Sequence, residues 1–184
     1  MGDCIEKELP VRKKIRLEGY NYSQDGYYHI TICVENGHEM LAQIVGDAAH
    51  GVPRVELTDI GKVVKHYIEN IDIVYGDEVK TNKYVIMPNH IHMIIVINNN
   101  DSAVNNSGTP RAASPTKAKI PKVINSSKGL VTKKIGFSIW HRSYNDRILR
   151  NEEAYRNIWQ YIDKNPVKWA EDRYYKEKNE KIFK

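Results

Sequence analysis

The chain has 184 residues and a formal net charge of +5, long enough for one domain with a self-sufficient hydrophobic core. The basic balance favours a polyanionic partner without naming one. Two cysteines, Cys4 and Cys33, form no C-x-x-C pair, which argues against a zinc ribbon or a disulfide scaffold and makes a reducing cytoplasm the expected compartment. The opening "MGDCIEKELP" carries acids and no apolar segment, unlike a secretory signal. No apolar run approaches the ~20 residues of a bilayer span, so a soluble protein with no membrane partner is expected.

In chain order, "VRKKIRLEGYNYSQDG" reads as a basic arm with two tyrosines. It is either solvated or suited to touching phosphates and stacking bases. "YYHITICVE" alternates aromatic and β-branched residues and predicts a strand over 27–35. "ENGHEM" supplies a turn, and 46–53 read as loop. "LTDIGKVVKHYIENI" places Ile60, Val63, Val64, Tyr67, Ile68 and Ile71 at helical spacing, capped by Thr58 or Asp59. "VKTNKYVIM" and "HIHMIIVI" are two strands joined at Pro88-Asn89, a β-hairpin.

Residues 98–119 are rich in Asn, Ser, Ala and Pro and have no apolar period, predicting a flexible inserted loop. "IPKVINSSKGLVTKKIG" predicts a second helix despite Gly129. Residues 138–144 read as a strand, and "NEEAYRNIWQYIDKN" as a third helix with Asn151 as cap and two acids in its first turn. Asn165-Pro166 interrupts that helix, and a short helix with a charged tail is expected after it. The order β-α-β-β-α-β-α fits an α+β fold: a ferredoxin-like βαββαβ antiparallel sheet with helices packed on one face and an extra C-terminal helix. The expected organisation is an N-terminal basic arm at 1–19, one domain at 20–169 and a tail at 170–184.

The hairpin holds an unusual pair. His90 and His92 are i and i+2 on one strand, so both imidazoles project from the same face. Two such rings can chelate a divalent ion, or they can be two satisfied histidines. On the third helix, Tyr155, Ile158, Trp159 and Ile162 form the apolar stripe. Tyr161 lies roughly 110° from its centre at ~100° per residue. It is therefore a flank residue, either a boundary tyrosine or one presented to the histidines. Asn165 is one turn on and on the same side, and could equally cap the segment beginning at Pro166.

"MPNHIHMII" resembles the histidine–hydrophobic–histidine motif of single-tyrosine endonucleases. "SIWHRSYNDRILRNEEAYRNIWQYIDKNPVKW" resembles the C-terminal half of the REP-associated tyrosine transposases, relatives of the small insertion-sequence transposases. The similarity runs from about 20 to 169 without the inserted loop. It implies Mg²⁺ or Mn²⁺ held by His90 and His92, a nucleophilic Tyr161 on the C-terminal helix, and Asn165 completing the metal site. It also implies cleavage and rejoining of single-stranded DNA near hairpins through a 5′-phosphotyrosine. That bond conserves the phosphodiester's energy, and no G-x-x-x-x-G-K-[ST] loop points to ATP.

Tyr155 and Tyr144 compete for the nucleophile's role: Tyr155 lies within the apolar stripe, so packing is the simpler reading, and Tyr144 could stack or pack. Arg12, Lys13, Lys14 and Arg16 are the first expected DNA contacts. Lys128, Lys133, Lys134, Arg142, Arg147 and Arg150 form a second basic set, and together they predict binding that weakens steeply with salt. Trp140 could stack a base or belong to the core. His29, His38, His50, His66 and His141 have no partner spacing and read as structural. The alternatives are a non-catalytic binder of structured DNA or RNA, a replication-initiator nuclease with the same motif, and a hydrolase using water in place of tyrosine. Monomer and homodimer are both open, since in a dimer the tyrosine can serve the partner's histidines.

Overall fold

The computed structural model describes residues 20–46, 53–99 and 118–175. Arg12, Lys13, Lys14 and Arg16, and most of the inserted loop, lie outside the described residues. The elements are β1 (Gly26–Cys33), β2 (Ala42–Val45), β3 (Arg54–Leu57), α1 (Asp59–Tyr75), β4 (Val79–Ile86), β5 (His90–Ile97), α2 (Lys119–Ile135), β6 (Asn145–Leu149) and α3 (Glu152–Lys164).

β4, β5, β1 and β6 form, in that spatial order, a four-stranded sheet whose pairings are all antiparallel. Alternation along β1 sends Tyr28, Ile30 and Ile32 into the main core, with Ile91, Met93, Ile95 and Ile97 of β5 beside them. α1 and α2 cover this face through Val64, Ile68, Ile71, Val123, Ile124 and Val131. α3 covers the opposite face, where Ile162 meets Ile94 and Leu149. β5 is thus sandwiched, and all eight of its residues are buried.

Helix ends follow the sequence signals. The Thr58 hydroxyl accepts from the Gly61 N–H at 3.0 Å and donates to the Met40 carbonyl at 2.6 Å. Gly61 fills a place no other residue could, because a Cβ there would lie 1.9 Å from the Leu41 carbonyl oxygen. The Asn151 side chain accepts from the Ala154 N–H at 2.8 Å, with Glu152 and Glu153 in the first turn of α3.

Three expectations are corrected. β2 and β3 form a separate two-stranded ribbon between β1 and α1; at four residues each, they carry too little alternation to be read as strands. The last strand of the sheet is Asn145–Leu149, not 138–144. The earlier segment contributes a single bridge, Trp140 to Val34, while its aromatic residues Trp140 and Tyr144 sink into the core. β6 is an edge strand, so it tolerates the charged "NDR" that obscures it in the sequence. Finally, among the described residues after α3 there is one 3-10 turn, Trp169–Glu171, in place of the expected short helix. The chain then folds back over the sheet, where the Asp172 carboxylate accepts from the Tyr174 N–H at 2.8 Å.

Candidate active site

The site lies between the sheet face that bears the paired histidines and the flank of α3. Antiparallel register sets His92 opposite Thr31 and His90 opposite Cys33, and Arg147 opposite His29, so these side chains share one face. The apolar stripe of α3 docks on Ile94 and Leu149, which turns Tyr161 toward His92. The Tyr161 hydroxyl is 3.1 Å from His92 Nε2 and donates to Asp172 Oδ2 at 3.2 Å. Tyr161 remains 38% exposed, so its hydroxyl borders an open cleft also lined by His29, Thr31, Arg147 and Arg173. The Asn165 Nδ2 group donates to the same Asp172 oxygen at 2.9 Å.

Two buried atoms at this point have no hydrogen-bond partner, His90 Nε2 and Asn165 Oδ1. Unpaired buried polar atoms are costly. Both belong to residues that surround Asp172: Asn165 through its hydrogen bond and His90 as a neighbouring ligand. Ligand atoms of His90, His92 and Asp172 lie within 4.8 Å of one another, a group that could hold a metal ion. A mixed imidazole and oxygen donor set suits a divalent cation, so the residues fit the ion that the sequence implied.

Burial lowers the His92 pKa to about 2, aided by the neighbouring His90, His29 and Arg173. Burial likewise lowers His29 to about 4, with Arg147 and Arg173 adding to it. His90 falls to about 4 through burial, an effect Asp172 opposes and Arg173 reinforces. All three rings are therefore neutral at pH 7, the state a metal ligand needs. Burial, then the Asp172 carboxylate, raises Tyr161 to about 12, so the phenol keeps its proton at neutral pH.

These shifts predict an acid-sensitive fold. Between pH ~6.5 and ~4 the unfolded chain protonates these histidines while the folded one does not. The unfolded state then binds more protons, so stability falls as pH drops through that window. The melting temperature of the metal-free protein should decline from pH 7 to pH 5, and His29→Gln should flatten the decline. A melting temperature unchanged over that range would contradict the assignment.

The structure thus brings together His90, His92, Tyr161, Asn165 and Arg147. Arg150 is exposed just beyond Arg147, lining an adjoining groove. Lys133 and Lys134 sit in the last turn of α2, in the helical layer across the sheet from α3, and do not join the site. Lys128 donates to the carbonyls of His141 and Arg142 at 2.9 and 3.3 Å, and the Arg142 side chain is exposed. Trp140 is core, and Tyr155 accepts a hydrogen bond from Asn82 at 2.8 Å, away from the histidines.

Sequence reasoning did not place His29 at the site, where its Nε2 is 3.2 Å from His92 Nδ1. It also missed Asp172, Arg173 and Tyr174, whose ring centroid is 4.5 Å from that of His90. The alternation of "YYHIT", which puts His29 and Thr31 on one face, was the available signal for His29.

No family model matches the chain. A Haemophilus influenzae protein, named only as uncharacterized, is 33% identical over 174 residues, covering 89% of this chain and 93% of that protein. The chain belongs to that protein's family. The solved structure of a REP-associated tyrosine transposase bound to a REP hairpin aligns with 86% of this chain and 74% of its own, with a TM-score of 0.59 and 19% identity. This chain has the fold of a REP-associated tyrosine transposase. The transposase fold supports the resemblance carried by "MPNHIHMII" and "YIDKNP". A Deinococcus radiodurans structure superposes less closely, with a TM-score of 0.43 and 17% identity over 80% of this chain and 96% of that one. Among the described residues of this transposase fold, no helix is long and apolar enough to cross a membrane.

Proposed function

We propose that the chain is a metal-dependent endonuclease and strand transferase that cleaves single-stranded DNA near hairpins, a transposase-like enzyme on a ferredoxin-like sheet with its nucleophile on α3. The observation that carries this reading is the Tyr161 hydroxyl 3.1 Å from His92 Nε2, beside the unpaired His90 Nε2 and Asn165 Oδ1. A phenol next to a candidate cation site is suited to covalent phosphodiester cleavage. The solved neighbour's hairpin supports a structured DNA substrate.

His90, His92 and Asn165 would hold Mg²⁺ or Mn²⁺, with Asp172 as a further oxygen donor. Bound there, the ion would supply Lewis-acid neutralisation of the scissile phosphate's charge. Tyr161 Oη attacks the phosphorus and passes its proton to Asp172 Oδ2, which already accepts its hydrogen bond. A bond from Oη to the 5′-phosphate forms and the bond to O3′ breaks. The departing O3′ takes up a proton and leaves as a 3′-hydroxyl. A 3′-hydroxyl from a second strand reverses the sequence and rejoins DNA, releasing Tyr161.

Arg147 and Arg173 line the cleft and Arg150 an adjoining groove, where they are suited to contact phosphates. Such contacts make binding weaken with salt. Tyr161 reaches His92 of its own chain, which supports action in cis. The test mixes the protein with hairpin-bearing single strands and Mn²⁺ and looks for a covalent adduct on a denaturing gel. Wild type forms it, while His92→Ala and chelated samples do not. DNA binding without any adduct, unchanged by these variants, would leave a non-catalytic binder.

A further inference from the structure

Asn89 sits in the turn between β4 and β5, only 2% exposed. Its Nδ2 group donates to the Gly37 carbonyl at 3.2 Å and to the Tyr174 carbonyl at 2.8 Å. Both partners only accept, so the amide cannot flip without setting oxygen against two oxygens. Asn89 Oδ1 is therefore the atom 2.9 Å from His90 Nδ1. A carbonyl oxygen only accepts, so His90 Nδ1 must carry the hydrogen. A neutral imidazole has one N–H, which leaves Nε2 as a bare lone pair. That same Nε2 is buried and without a partner, and His90 belongs with His92 and Asp172 to the group that could hold a metal ion.

His92 has no acceptor-only side-chain partner: its Nε2 faces the Tyr161 hydroxyl at 3.1 Å. Its Nδ1 faces the Thr31 hydroxyl at 3.0 Å and His29 Nε2 at 3.2 Å, and both can donate or accept. We propose that Asn89 is a positioning residue that fixes His90 as its Nδ1–H tautomer and so holds an unprotonated Nε2 toward the candidate cation site. Its use in metal binding rests on the proposed function; the tautomer itself does not.

The test records two-bond proton–nitrogen correlation spectra of ¹⁵N-histidine protein at pH 7.5 without metal, with His90→Gln assigning the His90 signal. Wild type should show His90 protonated at Nδ1 alone. Asn89→Ala should show an Nε2–H population, and a Mn²⁺ titration followed by electron paramagnetic resonance should show ~10–100-fold weaker binding. Asn89→Asp gives up both donors to Gly37 and Tyr174 but still accepts from Nδ1–H, so it should retain the tautomer. A merely structural role would make the two variants behave alike. If Asn89→Ala does not fold, the wild-type and Asn89→Asp spectra still decide. An Nε2–H tautomer in wild type, or an unchanged tautomer in folded Asn89→Ala, overturns the proposal. Wild type that shows the Nδ1–H tautomer yet binds no Mn²⁺ defeats the metal-dependent reading and leaves the role of Asn89 standing.

Discussion

Tyr161→Phe should lower the rate of strand cleavage by on the order of 10⁴-fold or more while leaving melting temperature and DNA affinity close to wild type. The substitution deletes one oxygen at a ring that is already 38% exposed, so little packing is lost. What disappears is the atom held between His92 Nε2 and Asp172 Oδ2. No other tyrosine on α3 can take over, because the Tyr155 hydroxyl is engaged with Asn82 and its ring lies against Tyr27 and Trp159. Single-turnover cleavage of a hairpin-bearing oligonucleotide, with filter binding alongside, measures both quantities. Residual cleavage within ~10-fold of wild type would point to a water nucleophile.

Ile162→Ala tests how the fold delivers that hydroxyl. Ile162 is the only fully buried residue of α3, and it anchors the helix on Ile94 and Leu149. Replacing a buried isoleucine by alanine typically costs about 2–5 kcal/mol. The small size of this second cluster, flanked by Val85, Ala154, Tyr155, Ile158 and Trp159, leaves few neighbours to absorb the cavity. Denaturant unfolding should show a loss in that range. Because Tyr161 is the adjacent residue, the loosened helix should also lower adduct formation by ~100-fold at temperatures where circular dichroism reports a folded protein. A loss below about 1 kcal/mol would mean that α3 is held by something other than this contact.

How much of this was legible depended on whether the signal was local. The pairing of His90 with His92 follows from strand periodicity alone, and the flank position of Tyr161 from helical periodicity. The caps at Thr58 and Asn151 follow from side-chain chemistry at helix starts. His29 reaches His92 only across β1 and β5, a relation that no spacing along the chain expresses. Asp172 was hidden because the chain reaches the site through an irregular turn that has no period. The placement of the basic residues was hidden for the same reason. Arg147 and Lys134 look equivalent in sequence, yet one faces the cleft from β6 and the other belongs to α2. β6 carries little sequence signal because an edge strand can be polar, whereas the aromatic Trp140 and Tyr144 before it belong to the core.

The most direct measurement is to trap the protein–DNA adduct with Mn²⁺, digest it and map the nucleotide-bearing residue by tandem mass spectrometry. The phosphodiester to the 5′ end is predicted on Tyr161. A modification on Tyr174, whose ring lies against His90, on Tyr155 or on any other residue would contradict the account.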